Sequence, residues 1–372
     1  MIQKERVLTE FLEMVRIACS TRGEREIADY LKHKLAAIGF AVREDEVGGI
    51  IGGNAGNVYG VLKGNIAGAS RILLSAHMDC VEPCAGVEPI VENGIIRSAG
   101  DTILGGDDKS GVVGILEAVR VIREQKLPHG DILVLFTVAE EGGLLGAKNL
   151  DPAGLQADIG FVLDAGGAPG KIVTSAPGQD SIRIVVHGKT AHAGGAPEEG
   201  LNAIVMAGKA LAQIEDGRID GETTANVGII HGGRATNIVP DRVELACEAR
   251  SRNLDKLAAQ TKKLCSTFER VISENGGKVE IAVTRVYEPY VHQLDTKIMK
   301  IASAAAVSVG LTPAFEATGG GSDANYYNTY GVPSLVLSTG MSKVHTNEEY
   351  ITEKDLYDTA EWVAAIIQKA AE

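Results

Sequence analysis

Residues 72–79 read Ile72-Leu73-Leu74-Ser75-Ala76-His77-Met78-Asp79. An apolar run without polar alternation stops abruptly at a histidine and an aspartate. Such a run describes a strand buried on both faces, the habit of a parallel sheet covered by helices. Ile132–Val138 and Phe161–Leu163 have the same character, and acids follow them too: Glu140-Glu141 after the first, Asp164 after the second. Helical spacing fills the intervals, notably Gly111–Glu124. Upstream, Val7, Phe11 and Met14 recur at helical spacing within residues 2–15. Ile27, Leu31 and Leu35 do so within 24–38, where Gly39 follows as a C-cap. Downstream, Pro333–Leu337 reads as a strand and Glu353–Gln368 as a helix. Strands alternating with helices predict an α/β fold, a mostly parallel sheet with helices on both faces.

The middle of the chain has another order. Ile182–His187 reads as a strand, Leu201–Ile214 as a helix, Thr223–Ile230 and Arg242–Ala249 as strands, Leu254–Ser273 as a helix and Lys278–Tyr287 as a strand. This β-α-β-β-α-β order is the ferredoxin-like split unit. It predicts an α+β domain over 178–289, inserted into a larger domain made of residues 1–177 and 290–372. A length of 372 residues suits two domains.

Composition narrows the function. Hydrophobic residues make up 45% and charged residues 23%, as in ordinary globular proteins. The formal net charge of −13 argues against nucleic acid and anionic membrane surfaces, which favour basic patches. No apolar run reaches the roughly 18 residues of a membrane span. The opening Met1-Ile2-Gln3-Lys4-Glu5-Arg6 leads into an amphipathic stretch rather than a signal-peptide core, so the expected compartment is the cytoplasm. Five scattered cysteines, an odd number, make no disulfide framework.

The chemistry lies where the strands end. Ligands of open α/β sheets bind beyond the carboxyl ends of the strands, so distant segments converge there. His77 and Asp79, Glu140 and Glu141, and Asp164 follow predicted strands. His345 comes shortly after another, and Asp107-Asp108 open a helix after Gly105-Gly106. Singly, each has an ordinary explanation: a chance His-x-Asp, a solvated Glu pair, a helix N-cap. Together they make a set of imidazoles and carboxylates that suits zinc or a similar divalent ion. His77, Asp107, Glu141, Asp164 and His345 are too many for one catalytic ion, and they fit two ions if one carboxylate bridges. Asp79 is placed to orient His77 through its other ring nitrogen. Glu140 and Glu141 are adjacent, so in extended chain one can bind metal while the other stays free as a general base.

These residues resemble the di-zinc exopeptidases, a family that includes peptidase T, glutamate carboxypeptidase, succinyl-diaminopimelate desuccinylase and aminoacylase. The matching motifs are Ser75-Ala76-His77-Met78-Asp79, Gly106-Asp107-Asp108-Lys109-Ser110-Gly111, Ala139-Glu140-Glu141-Gly142, Asp164 and His345. In the middle domain they are Gly188-Lys189-Thr190-Ala191-His192-Ala193-Gly194 and Gly233-Arg234-Ala235-Thr236-Asn237-Ile238-Val239-Pro240-Asp241. Gly319-Gly320-Gly321-Ser322-Asp323 is similar to the family's glycine-rich substrate loop. The wording is most like the peptidase T branch.

The resemblance implies that Asp107 bridges two Zn2+ ions, with Co2+ or Mn2+ as substitutes. His77 and Asp164 would complete one site, Glu141 and His345 the other. Glu140 would be the general base, Asp79 the residue that orients His77, and Asp107–Asp108 a non-proline cis peptide. The middle domain would be a lid and dimerisation domain. Its His192 would reach a partner subunit's site in a homodimer. Asn237, Arg250, Gly320 and Gly321 would contact substrate. The implied activity is a zinc-dependent aminopeptidase acting on short peptides, tripeptidase-like. The alternatives are an N-acyl amino acid deacylase or carboxypeptidase with the same mechanism, and a non-catalytic peptide-binding relative.

Overall fold

The computed structural model describes residues 2–372, and these form two compact units. The larger comprises residues 2–174, His292–Ala317 and Ser322–Glu372; the smaller comprises Ser175–Val291 and Thr318–Gly321.

The main sheet of the larger unit runs, from one edge, Ala41–Glu44, Val58–Leu62, Ile132–Thr137, Ile72–His77, Ile159–Ala165, Ser334–Ser338 and Lys171–Ala176. The four strands from Ile132–Thr137 to Ser334–Ser338 are parallel, and those flanking them pair antiparallel. The parallel strands are buried on both faces, which is why their sequences are near-continuous apolar runs. Side chains alternate between the faces. Ile72, Leu74 and Ala76 join a core shared with the helices Lys4–Met14, Arg25–Ile38, Gly106–Glu124, Lys297–Ser308 and Glu353–Ala371. Ser75, on the opposite face, hydrogen-bonds Tyr327 of the helix Asp323–Thr329 at 2.9 Å.

The third strand is longer than its apolar triplet predicts, Ile159–Ala165. Gly160 belongs to it because Ser334 of the next strand leaves no room for a side chain: a Cβ there would lie 2.3 Å from the Ser334 hydroxyl. A small antiparallel sheet joins Pro89–Glu92, Ile95–Ser98 and Tyr350–Thr352. Its hairpin turns at Asn93-Gly94, both with positive φ (53° and 77°), a turn that matches strand twist.

In the smaller unit, Thr223–Gly232, Arg242–Ser251, Gly178–His187 and Lys278–Tyr287 lie side by side, all antiparallel. Ala203–Leu211 and Leu254–Glu274 share a core with that sheet. The first helix is shorter than its periodicity predicts; it starts at Ala203, where the Asn202 side chain accepts the Val205 N–H at 3.0 Å and caps it, and it ends at Leu211. Among the described residues, no helix is long and apolar enough to cross a membrane.

Candidate metal centre

His77 is the last residue of its strand and is buried. Its Nε2 lies 3.0 Å from Asp107 Oδ1 and 3.9 Å from Asp164 Oδ1. Its Nδ1 faces the backbone carbonyl of Asp79 at 2.9 Å, with the Asp79 carboxylate at 3.5 Å. That carboxylate is engaged elsewhere: it accepts the Glu140 N–H at 2.9 Å, the Glu141 N–H at 3.2 Å and the Thr21 hydroxyl at 2.7 Å. Asp79 therefore aims the ring with its backbone and the two glutamates with its side chain. The glutamates lie at the start of a turn, not in extended chain, because the Glu140 carbonyl accepts the N–H groups of Gly143 and Leu144.

Asp107 stands where the chain enters a long helix. Gly105 takes a left-handed φ of 74°, and Asp107 and Asp108 depart from helical geometry before the helix runs on to Glu124. The Asp107–Asp108 peptide bond is cis. Asp108 Oδ1 accepts the Gly111 N–H and caps the helix, while Oδ2 accepts the His77 N–H, both at 3.2 Å. His345, in a left-handed conformation (φ 62°), brings its Nε2 to 2.8 Å from Glu141 Oε1 and 3.3 Å from Asp107 Oδ2.

Two groupings result: His77, Asp107 and Asp164 offer ligand atoms within 4.8 Å of one another, and so do Asp107, Glu141 and His345. Asp107 belongs to both. A third set of the same reach joins His77 with Glu140 and Glu141. The charges press on each other. Burial raises the pKa of Glu140, and the Asp164 charge adds to it. Burial and the Asp107 charge raise Asp164. Burial would raise Asp107 as well, but the His345 and His77 rings overcome it and hold that carboxyl below its ordinary value. The Asp107 and Glu141 carboxylates push His345 up to about 10. Buried carboxylates crowded with imidazoles are the donor set of divalent cations, and the residues present fit such ions.

The model of Peptidase family M20/M25/M40 matches residues 73–369. The chain belongs to this family. It is 42% identical over 371 residues to YqjE of Bacillus subtilis (strain 168), with 100% of each chain covered. Among solved structures it matches aminopeptidase PepT from Bacillus cereus ATCC 10987 at 42% identity and a TM-score of 0.93, with 100% of both chains covered. It also matches a tripeptidase from Staphylococcus aureus subsp. aureus Mu50 at 41% identity and a TM-score of 0.96, covering 100% of this chain and 99% of that one. As a member of the M20/M25/M40 peptidases, the chain is a hydrolase.

One residue of this M20/M25/M40 site escapes a reading of the motifs. Glu349 is buried, and its carboxylate accepts the N–H groups of Gly105 (2.7 Å) and Asp107 (2.9 Å). Burial pushes its pKa up to about 7. It stands just before the strand Tyr350–Thr352, so the small sheet delivers it to Asp107. The available signal was its place four residues after His345.

Within the smaller unit, His192 and Asn237 line one cavity of about 680 Å³, together with His231, Arg234 and Arg242. Arg250 is not part of that lining. Its guanidinium is paired with Glu248 through two contacts of 3.0 Å. Gly320 and Gly321 belong to the smaller unit but not to the cavity lining.

Proposed function

We propose that this chain is a dinuclear metallo-aminopeptidase that removes the N-terminal residue of short peptides in the cytoplasm. The observation that carries the reading is the sharing of Asp107 by two ligand groupings, with Glu140 beside them. Identity above 40% across the whole chain to an aminopeptidase and a tripeptidase supports the substrate class. Asp107 would bridge two zinc ions, His77 and Asp164 hold one, and Glu141 and His345 the other; Co2+ or Mn2+ would serve the same donors. Two such ions supply Lewis acidity toward the scissile carbonyl and the attacking water.

The protein's own part is to place the protons. Glu140 is buried, and its raised pKa suits a group that takes a proton from water and then gives it to the departing amine. The Asp79 carboxylate keeps Glu140 in place by accepting the Glu140 backbone N–H, and the Asp79 carbonyl aims His77. We assign substrate contacts to His192, Asn237, Arg250, Gly320 and Gly321, and a homodimer to the assembly. Five free thiols suit a reducing compartment.

The test is Glu140→Gln, with metal content and peptide hydrolysis measured together. The variant is expected to keep its metal and lose roughly 10²–10⁴-fold in kcat. Normal turnover would remove Glu140 from its role. Unblocked di- and tripeptides should be cleaved in a chelator-sensitive way; cleavage of N-acetyl amino acids instead would make the enzyme a deacylase.

A further inference from the structure

Past Thr137 the chain leaves the sheet, and the N–H groups of the next four residues need other acceptors. All four find side-chain oxygens. Val138 donates to Asn57 Oδ1 at 3.1 Å, Ala139 to Glu24 Oε1 at 3.0 Å, and Glu140 and Glu141 to the Asp79 carboxylate. Asn57 also donates to the Gly146 carbonyl at 3.1 Å, which ties the far end of the turn to the same place. Ala139 sits at φ 51°, a region a non-glycine residue enters only when its surroundings hold it there.

Glu24 stands out among these anchors. It is fully buried and occupies the N-cap position of the helix Arg25–Ile38, yet its side chain makes no cap bond to that helix. Oε1 is spent on Ala139 and on the Arg22 N–H at 2.8 Å, and Oε2 is buried without a partner among the described residues. A glutamate merely starting a helix would face solvent or the first helical N–H groups. This one turns inward, 115 residues along the chain, to the residue that precedes Glu140.

We propose that Glu24 is a positioning residue for Glu140: by gripping the Ala139 N–H it fixes the left-handed turn that aims the Glu140 carboxyl. The inference rests on the reading of Glu140 as the base. Its geometric half, that Glu24 holds the 138–141 turn, stands apart from activity. Asp79 fixes the amides of Glu140 and Glu141 from one side, and Glu24 fixes the residue before them. Loss of Glu24 frees the turn to relax toward ordinary φ and swings the carboxyl away from its place. A displacement of about 1 Å can cost on the order of 100-fold in rate.

The experiment compares Glu24→Ala, Glu24→Asp and Glu24→Gln in the full-length, metal-loaded protein. It records kcat, KM, metal content and amide hydrogen exchange of the segment 138–146. Glu24→Gln keeps an acceptor oxygen at the same reach and is expected to retain kcat within a few-fold. Glu24→Asp keeps the charge but falls one methylene short. It and Glu24→Ala are expected to lose roughly 100-fold in kcat with KM and metal content little changed. They should also show faster exchange confined to 138–146. Wild-type kcat in both variants would overturn the proposal. So would a lowered melting temperature without a change in kcat per folded molecule, because that is a structural role alone. If Glu24→Ala does not fold, the Asp and Gln pair decides the matter. Faster exchange in the variants of a protein whose wild type cleaves no peptide would instead sink the peptidase reading and leave the clamp standing.

Discussion

Glu44 shows what a single carboxylate does when three donors converge on it. Arg25 grips it with both ends of its guanidinium at 2.8 Å, Lys32 reaches it at 2.6 Å, and the Gly56 N–H at 2.9 Å. Burial alone would raise its pKa, but these partners outweigh it and hold the carboxyl at about 2, against an ordinary 4.5. A pKa lowered by folding means stability that is present above pH 4.5 and lost as pH falls through about 2. Glu44→Gln should therefore cost on the order of 1 kcal/mol at neutral pH. That difference should shrink as pH falls below 4.5 and vanish below about pH 2 when unfolding is followed across pH. A difference independent of pH would show that Glu44 acts through packing rather than charge. At this scale legibility depended on position. His77, Asp107, Glu141, Asp164 and His345 could be picked out because each interrupts or follows an apolar run or a glycine pair. Glu24 could not, since an acid at a helix start has an ordinary use, and nothing local says that its side chain turns inward to a residue 115 positions away.

Between elements, one close approach is made at Gly114, midway along the helix Gly106–Glu124. A Cβ there would lie 2.8 Å from the Thr359 methyl group of the helix Glu353–Ala371. Thr359 cannot easily yield, because it is fully buried and its hydroxyl donates to the Thr339 carbonyl at 3.1 Å. Gly114→Ala gains up to about 1 kcal/mol of helix propensity. Against it stands an overpacking cost of about 1–3 kcal/mol, so a net loss is expected in denaturant titration. Thr359→Ser, which removes the methyl group, should restore most of it; a stabilised Gly114→Ala would show that the two helices can part. The long buried strands and amphipathic helices were readable from apolar runs and spacing. The hairpin around Asn93-Gly94 was equally readable, since that pair is a strong turn signal. It passes unnoticed beside longer apolar runs because its strands are four residues each and partly exposed. Ala41–Glu44 lacks even that mark: its burial alternates weakly, and its place is set by pairing with Val58–Leu62.

For the molecule as a whole, the smaller unit carries an unfinished surface. Only the start of Thr223–Gly232 is covered by the two-residue strand Gly217–Arg218, and beyond it no strand of the described residues pairs with the edge. Ile229 and Ile230 on that edge are half exposed, as are Ile204 and Val205 on the neighbouring helix. An open edge with apolar side chains invites pairing with another chain, which is the physical ground for the proposed homodimer. Ile230→Asp should convert a dimer to a monomer in sedimentation velocity; a wild type that sediments as a monomer would end that reading. The order of strands has a consequence for the chain as it is made. Ser334–Ser338 lies between Ile159–Ala165 and Lys171–Ala176, pairing with both. At roughly 5–20 residues per second, those two neighbours leave the ribosome on the order of ten seconds or more before the strand that separates them. Through that interval the nascent sheet holds a one-strand vacancy with two open ladders facing it, while the smaller unit is completed. Translation speed and chaperone cover across residues 177–333 therefore bear on the yield of enzyme, although no residue in that window is among the proposed metal ligands.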